Sequence, residues 1–162
     1  MKESVHPDFS AYDMSTKEGR QATLKAMLSV RDKDHPLACG DILSLQPELL
    51  EFDGEGYAEV AFKPQEWQLN GLRYVQGGYL AAMIDVVCGP MSDICSQGQS
   101  AGTLDMVTTY FRPITMADEQ IIVKVKLVSN TSRVMHFECE LLNSKGKTAV
   151  KVLNNIMKAK RK

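Results

Sequence analysis

Apolar and polar positions alternate from Tyr57 to Lys63, with Ala58, Val60 and Phe62 on one side and Glu59 and Lys63 on the other. A period of two is the mark of a strand with one buried face. The same period returns in Gln120–Val128, where Ile121, Val123, Val125 and Leu127 line up. It returns again in Val134–Leu142, where Met135, Phe137, Cys139 and Leu141 oppose His136, Glu138 and Glu140. Thr148–Lys158 reads as a last strand, and Thr103–Arg112, rich in Thr, Val, Tyr and Phe, as one that ends at Pro113. Asp53-Gly54-Glu55-Gly56 and Asn143-Ser144-Lys145-Gly146 are turns between strands. Ala38–Leu50 is expected to be extended, with Pro47 marking an edge or a bulge.

Two segments break this rhythm. Tyr79–Cys88 is apolar almost all the way round, as in a helix buried on every side, and Gly89-Pro90 is expected to kink or break it before a further turn to about Ser96. Nearer the N-terminus, Ser15-Thr16-Lys17-Glu18 has capping-box spacing, and Leu24, Met27 and Leu28 follow at helical intervals. A short amphipathic helix over 16–31 is expected, stopped by His35-Pro36 and preceded by a loosely ordered lead-in over 1–14. The order is helix, two strands, apolar helix, four strands. Hairpin turns favour antiparallel pairing, and a sheet curled around one apolar helix buries both kinds of element. The expected architecture is α+β, with residues 1–36 as lead-in and helix and 37–162 as the principal domain.

Composition narrows the picture. The 162 residues are 44% hydrophobic and 24% charged, enough for a core without disulfide staples. A net charge of −1 gives no field favouring nucleic acid, and the basic Lys158–Lys162 reads as a solvated tail. Cys39, Cys88, Cys95 and Cys139 are scattered and His6, His35 and His136 do not join them, so no metal site is expected and the thiols should be reduced and mostly buried. With no signal-like start and no apolar run of ~18–20 residues, the chain is expected to be soluble and cytoplasmic, with no membrane span.

The chemistry concentrates between Asn70 and Asp85. Gly77 and Gly78 permit a sharp entry into the helix and close approach of a ligand to its backbone. The first amides of a helix lack internal partners and sit at its positive end, which suits a carbonyl oxygen gaining negative charge. Asp85 follows two turns later. A lone carboxylate in an apolar helix either meets a polar partner or lines a cavity as a base or nucleophile.

Asn70, Gln76-Gly77-Gly78 and Asp85 resemble the signature of the PaaI-type acyl-CoA thioesterases of the hotdog superfamily, including those like thioesterase superfamily member 2. That signature has an Asn, a His-Gly-Gly six residues on, and an acidic residue nine after the His; spacings of six and nine recur here. Thr103, ahead of Tyr110-Phe111-Arg112-Pro113, matches a further feature, and the likeness spans roughly residues 36–158. The resemblance implies a hotdog fold and hydrolysis of an acyl-CoA without a cofactor. Asp85 is then general base or nucleophile, the Gly77 amide polarises the thioester carbonyl, Asn70 orients the carbonyl or water, and Thr103 holds the water. It also implies a homodimer or homotetramer whose sites take Asn70 and Gly77 from one chain and Asp85 and Thr103 from another. Gln76, Gly78, Tyr79, Met83 and Trp67 are the expected substrate contacts.

Two departures stand out. Gln76 replaces the usual His and cannot take up a proton near neutral pH, and Pro90 should reshape the end of the helix. The alternatives are a hotdog module that binds acyl-CoA without turnover, as a sensor or degenerate subunit, and a hydratase or dehydratase. The latter needs a His beside the carboxylate, and none is near Asp85 in sequence. Plainer readings make Asn70 a turn residue, His136 and Asp93 solvated, Arg112 and Arg133 surface arginines, and Trp67, Cys88 and Cys95 packing residues.

Overall fold

The computed structural model describes residues 13–35, 40–99 and 101–159. Most of the lead-in, the start of the stretch expected to be extended at Ala38, Cys39, and the end of the basic tail lie outside them. Helix α1 spans Lys17–Leu28. Its N-cap is Thr16, whose Oγ1 accepts the Gly19 amide at 3.1 Å, so Ser15 is not the cap. Position N3 is then Gly19, which has no side chain to reach back, and half of the expected capping box is missing. The helix stops short of residue 31 because Arg31 turns back to bond the carbonyls of Leu28 and Val30 at 3.0 and 2.8 Å.

The segment expected to be one long strand divides. Gly40–Leu45 forms the short helix α2, burying Ile42 and Leu45, and only Glu48–Phe52 pairs as β1. The proline ahead of β1 confines it to the sheet edge, where its register with β2 (Tyr57–Phe62) slips between Leu49 and Glu51. A 3-10 turn at Glu66–Gln68 leads toward α3 (Gly77–Cys95). Then follow β3 (Ala101–Tyr110), β4 (Ile121–Asn130), β5 (Val134–Leu142) and β6 (Thr148–Lys158). All six strands form one antiparallel sheet ordered β1-β2-β4-β5-β6-β3.

The core lies between this sheet and α3. Val60, Val123, Val125, Phe137, Leu141 and Val152 from the sheet meet Leu80, Met83, Ile84, Val87 and Met91 from the helix. Leu24 and Leu28 of α1 join the same cluster. By length and composition α3 also passes as a membrane span, but most of it is buried in this core.

Two expectations about α3 are corrected. The helix runs through Pro90 without ending. Gly89 has no Cβ to collide with the proline ring, so the residue before Pro90 stays helical at low cost, and burial of Cys88, Met91 and Ile94 holds both halves in place. Nor is α3 covered on every side. Gly78, Ala82, Asp85 and Gly89, one above another at helical spacing, remain at least partly accessible.

Away from the core, Asp118 ties the β3–β4 loop to the β5–β6 turn. Its carboxylate accepts the Thr115 amide at 3.0 Å and the Ser144 hydroxyl and amide at 2.9 and 3.2 Å. Burial pushes its pKa up, but these hydrogen bonds together outweigh that and hold it below the ordinary carboxylate value. A depressed folded-state pKa stabilises above the unfolded value, about 3.9, and that stability is lost as pH falls through the folded value. Asp118→Asn is therefore expected to lower the melting temperature near neutral pH. The gap to wild type should close on acidification, which a thermal-shift series from about pH 7 to pH 3 measures. A gap independent of pH would remove the carboxylate from the explanation.

Candidate functional site

Strict alternation along β3 puts Asp105, Val107 and Thr109 on the outer face of the sheet, opposite Asn155, Leu153 and Lys151 of β6. Thr103 would share that face but for a bulge between Thr103 and Asp105, which sets Thr103 opposite Ile156, an inward-facing residue. One inserted residue flips the side chain to the other face. Thr103 Oγ1 consequently reaches the central helix and donates to Asp85 Oδ1 at 2.8 Å. The carboxylate is half-buried, at the open side of α3, among Gly78, Ala82 and Gly89. A Cβ added at Gly78 or Gly89 would meet no atom within 4 Å, so there is room beside Asp85 for a ligand or another chain.

The other end of the arrangement is the start of α3. Gln76 is the N-cap in extended conformation (φ −62°, ψ 140°), makes no side-chain capping bond, and is exposed. The Gly77 amide therefore opens the helix as an uncommitted donor at its positive end. Tyr110 fixes this turn from β3: its hydroxyl donates to the Gly77 carbonyl at 2.8 Å, and its ring fills the space a Gly77 side chain would need. Burial raises the Tyr110 pKa, so the hydroxyl remains a donor at neutral pH. No signal in the sequence assigns Tyr110 this role, although it opens the Tyr110–Pro113 stretch.

Asn70 orders the loop before the helix, its Oδ1 accepting the amides of Leu72 at 2.9 Å and Tyr74 at 3.1 Å. That leaves its Nδ2 as the atom available to a ligand. Trp67 and Tyr79 meet edge to face with ring centres 5.0 Å apart, and nearly half of Trp67 is exposed. Met83 is fully buried in the core and does not reach the open side of the helix.

Within one chain these residues form two groups. Asp85 with Thr103 is one; Asn70, Gln76 and Gly77 are the other. Eight residues of helix separate Gly77 from Asp85, about 12 Å, too far for both to act on one carbonyl group.

The remaining candidates fall elsewhere. Cys88 and Cys139 are buried with sulfurs 3.5 Å apart; the Cys139 contact, burial and the Asp85 charge push the Cys88 thiol well up, which suits inert packing. His136 is not simply solvated: it is half-buried, with Nδ1 2.6 Å from Asn155 Oδ1. Arg112 donates to the Thr148 carbonyl, while Arg133 is exposed. Asp93 is partly buried. A groove of about 460 Å³ lies over the outer face of the sheet, bordered by Tyr57, Lys124, Lys151 and Leu153; Asn70, Gln76, Gly77, Asp85 and Thr103 do not line it. No cluster of metal-ligating side chains occurs among the described residues.

Residues 73–150 match the family model of the thioesterase superfamily. The structure resembles the PaaI protein of the Escherichia coli phenylacetic acid degradation operon, with a TM-score of 0.73 and 18% identity over 91% of this chain and 97% of that one. It also resembles a hypothetical thioesterase of Streptococcus pneumoniae solved with coenzyme A (TM-score 0.65, 19% identity, 72% of this chain and 88% of that one). A Streptococcus mutans protein bound to acetyl-CoA gives a TM-score of 0.65 at 20% identity, over 72% of this chain and 91% of that one. Alanine variants of the pneumococcal protein at an aspartate and at a threonine have also been crystallised. No curated protein gives a significant sequence match.

Proposed function

We propose that this chain, which has the hotdog fold and matches the thioesterase superfamily over residues 73–150, hydrolyses an acyl-CoA to the free acid and CoA, with Asp85 as the base or nucleophile. The observation that carries this reading is the Thr103–Asp85 hydrogen bond at the open side of the central helix. With Thr103 on Oδ1, Oδ2 is left to take a proton from water. The hydroxide so formed attacks the thioester carbon. Charge then develops on the carbonyl oxygen, which the Gly77 amide at the positive end of α3 receives. Collapse of the tetrahedral intermediate breaks the C–S bond, and the proton leaves with the CoA thiolate. Attack by Asp85 itself, through an anhydride that water then hydrolyses, uses the same geometry.

The 12 Å separation calls for a second copy of the chain. Strand β3 supports one: among the described residues it ends the sheet without a neighbour, and Leu104, Val107, Tyr110 and Phe111 on and beside it are large, apolar and about half exposed or more. Edge-to-edge pairing of β3 with its symmetry mate brings Gly77 of one protomer toward Asp85 of the other and covers the small-residue side of α3. Trp67 and Tyr79 then flank the entry for the acyl group.

A module that binds acyl-CoA without turnover is the competing reading, and exposed Gln76 in place of His is the observation that favours it. Thiol release from acyl-CoAs ranging from short aliphatic to long-chain and aryl separates the two. The proposal expects CoA to be released from at least one class. Tight CoA binding with no release from any would select the module.

A further inference from the structure

Along β6 every second residue points at α3: Val150, Val152, Asn154 and Ile156. Three are apolar and one is an amide, yet Asn154 is as buried as its neighbours, with no exposed surface. Its Nδ2 lies 3.5 Å from Asp85 Oδ1, the same oxygen that Thr103 holds. Its Oδ1 has no hydrogen-bond partner among the described residues. A fully buried amide with an idle acceptor costs stability, and a valine there would continue the row. The opposite amide orientation sets the oxygen lone pairs against the carboxylate, so the idle oxygen is the lesser cost.

We infer that Asn154 is a positioning residue for the Asp85 carboxylate, holding Oδ1 together with Thr103 so that Oδ2 faces the reacting water. This rests on the proposed role of Asp85. Two donors from adjacent strands, one above a bulge and one in a regular row, fix the carboxylate in rotation as well as position. Asn154 itself is enclosed and touches no substrate; it acts through Asp85.

The test replaces Asn154 by Val and by Ser, beside wild type and Asp85→Ala, and measures kcat, KM and melting temperature. Asn154→Val is expected to melt at or above the wild-type temperature, because the idle oxygen is gone. Its kcat should nevertheless fall roughly 10- to 100-fold, the scale of one hydrogen bond to a charged group, at unchanged KM. Asn154→Ser, smaller and still polar, is expected to lower kcat at unchanged KM as well and serves if the valine variant is insoluble. Unchanged kcat in the soluble variants, with wild type active and Asp85→Ala inactive, overturns the role of Asn154 alone. Full activity in Asp85→Ala overturns the role of Asp85 and that of Asn154 with it.

Discussion

Asp85→Ala is expected to lower acyl-CoA turnover by roughly 10²–10⁴-fold, the range for loss of a general base, while leaving CoA affinity unchanged. The substitution removes a half-buried carboxylate from the accessible side of α3, so the packed face formed by Leu80, Met83, Ile84 and Val87 is untouched. The chain should therefore stay folded. Steady-state hydrolysis beside calorimetric titration with CoA makes the comparison. A turnover within a fewfold of wild type would exclude Asp85 as base and as nucleophile. A parallel loss of CoA binding would make the carboxylate a binding group instead.

Thr108→Pro should separate the protomers and take hydrolysis with them. The Phe111 amide donates to the Ala149 carbonyl at 2.8 Å, so by alternation Thr109 and Val107 also point their backbone groups at β6. The amide of Thr108 then faces the open edge. Proline there deletes an edge donor and sets a ring in the path of a pairing strand, but leaves the β3–β6 ladder its bonds. Light scattering is expected to report a monomer, and activity should fall by about 100-fold or more, the scale for losing an oxyanion donor that only the other subunit supplies. A monomeric variant with full activity would show that one chain suffices.

How far the sequence reaches is clear from individual positions. Val134–Leu142 forms a strand over the very range that alternation marks, because one face is buried and register is then strongly specified, and Thr148–Lys158 has the bounds expected of the last strand. Asp85 is conspicuous as a charge in an apolar run. Where alternation is interrupted the sequence is silent. The bulge that turns Thr103 toward Asp85 depends on pairing with β6, and no local composition announces it. Asn154 reads as one more polar residue near the chain end until β6 is seen to face it inward. α2 hides in a stretch too short for a helical period to register. Pro90 misleads in the other direction, since Gly89 relieves the ring's clash with the residue before it and burial of Cys88, Met91 and Ile94 outweighs the hydrogen bond that the proline cannot donate.

The most direct test of the central claim is a single-turnover experiment, with enzyme in excess over an acyl-CoA that binds, quenched and analysed for CoA and free acid. Excess enzyme removes any dependence on product release and reveals even slow chemistry. CoA and acid appearing together in equal amounts, in wild type and not in Asp85→Ala, is the predicted result. Acyl-CoA recovered intact from the bound complex would contradict it and leave a binding protein in place of the enzyme.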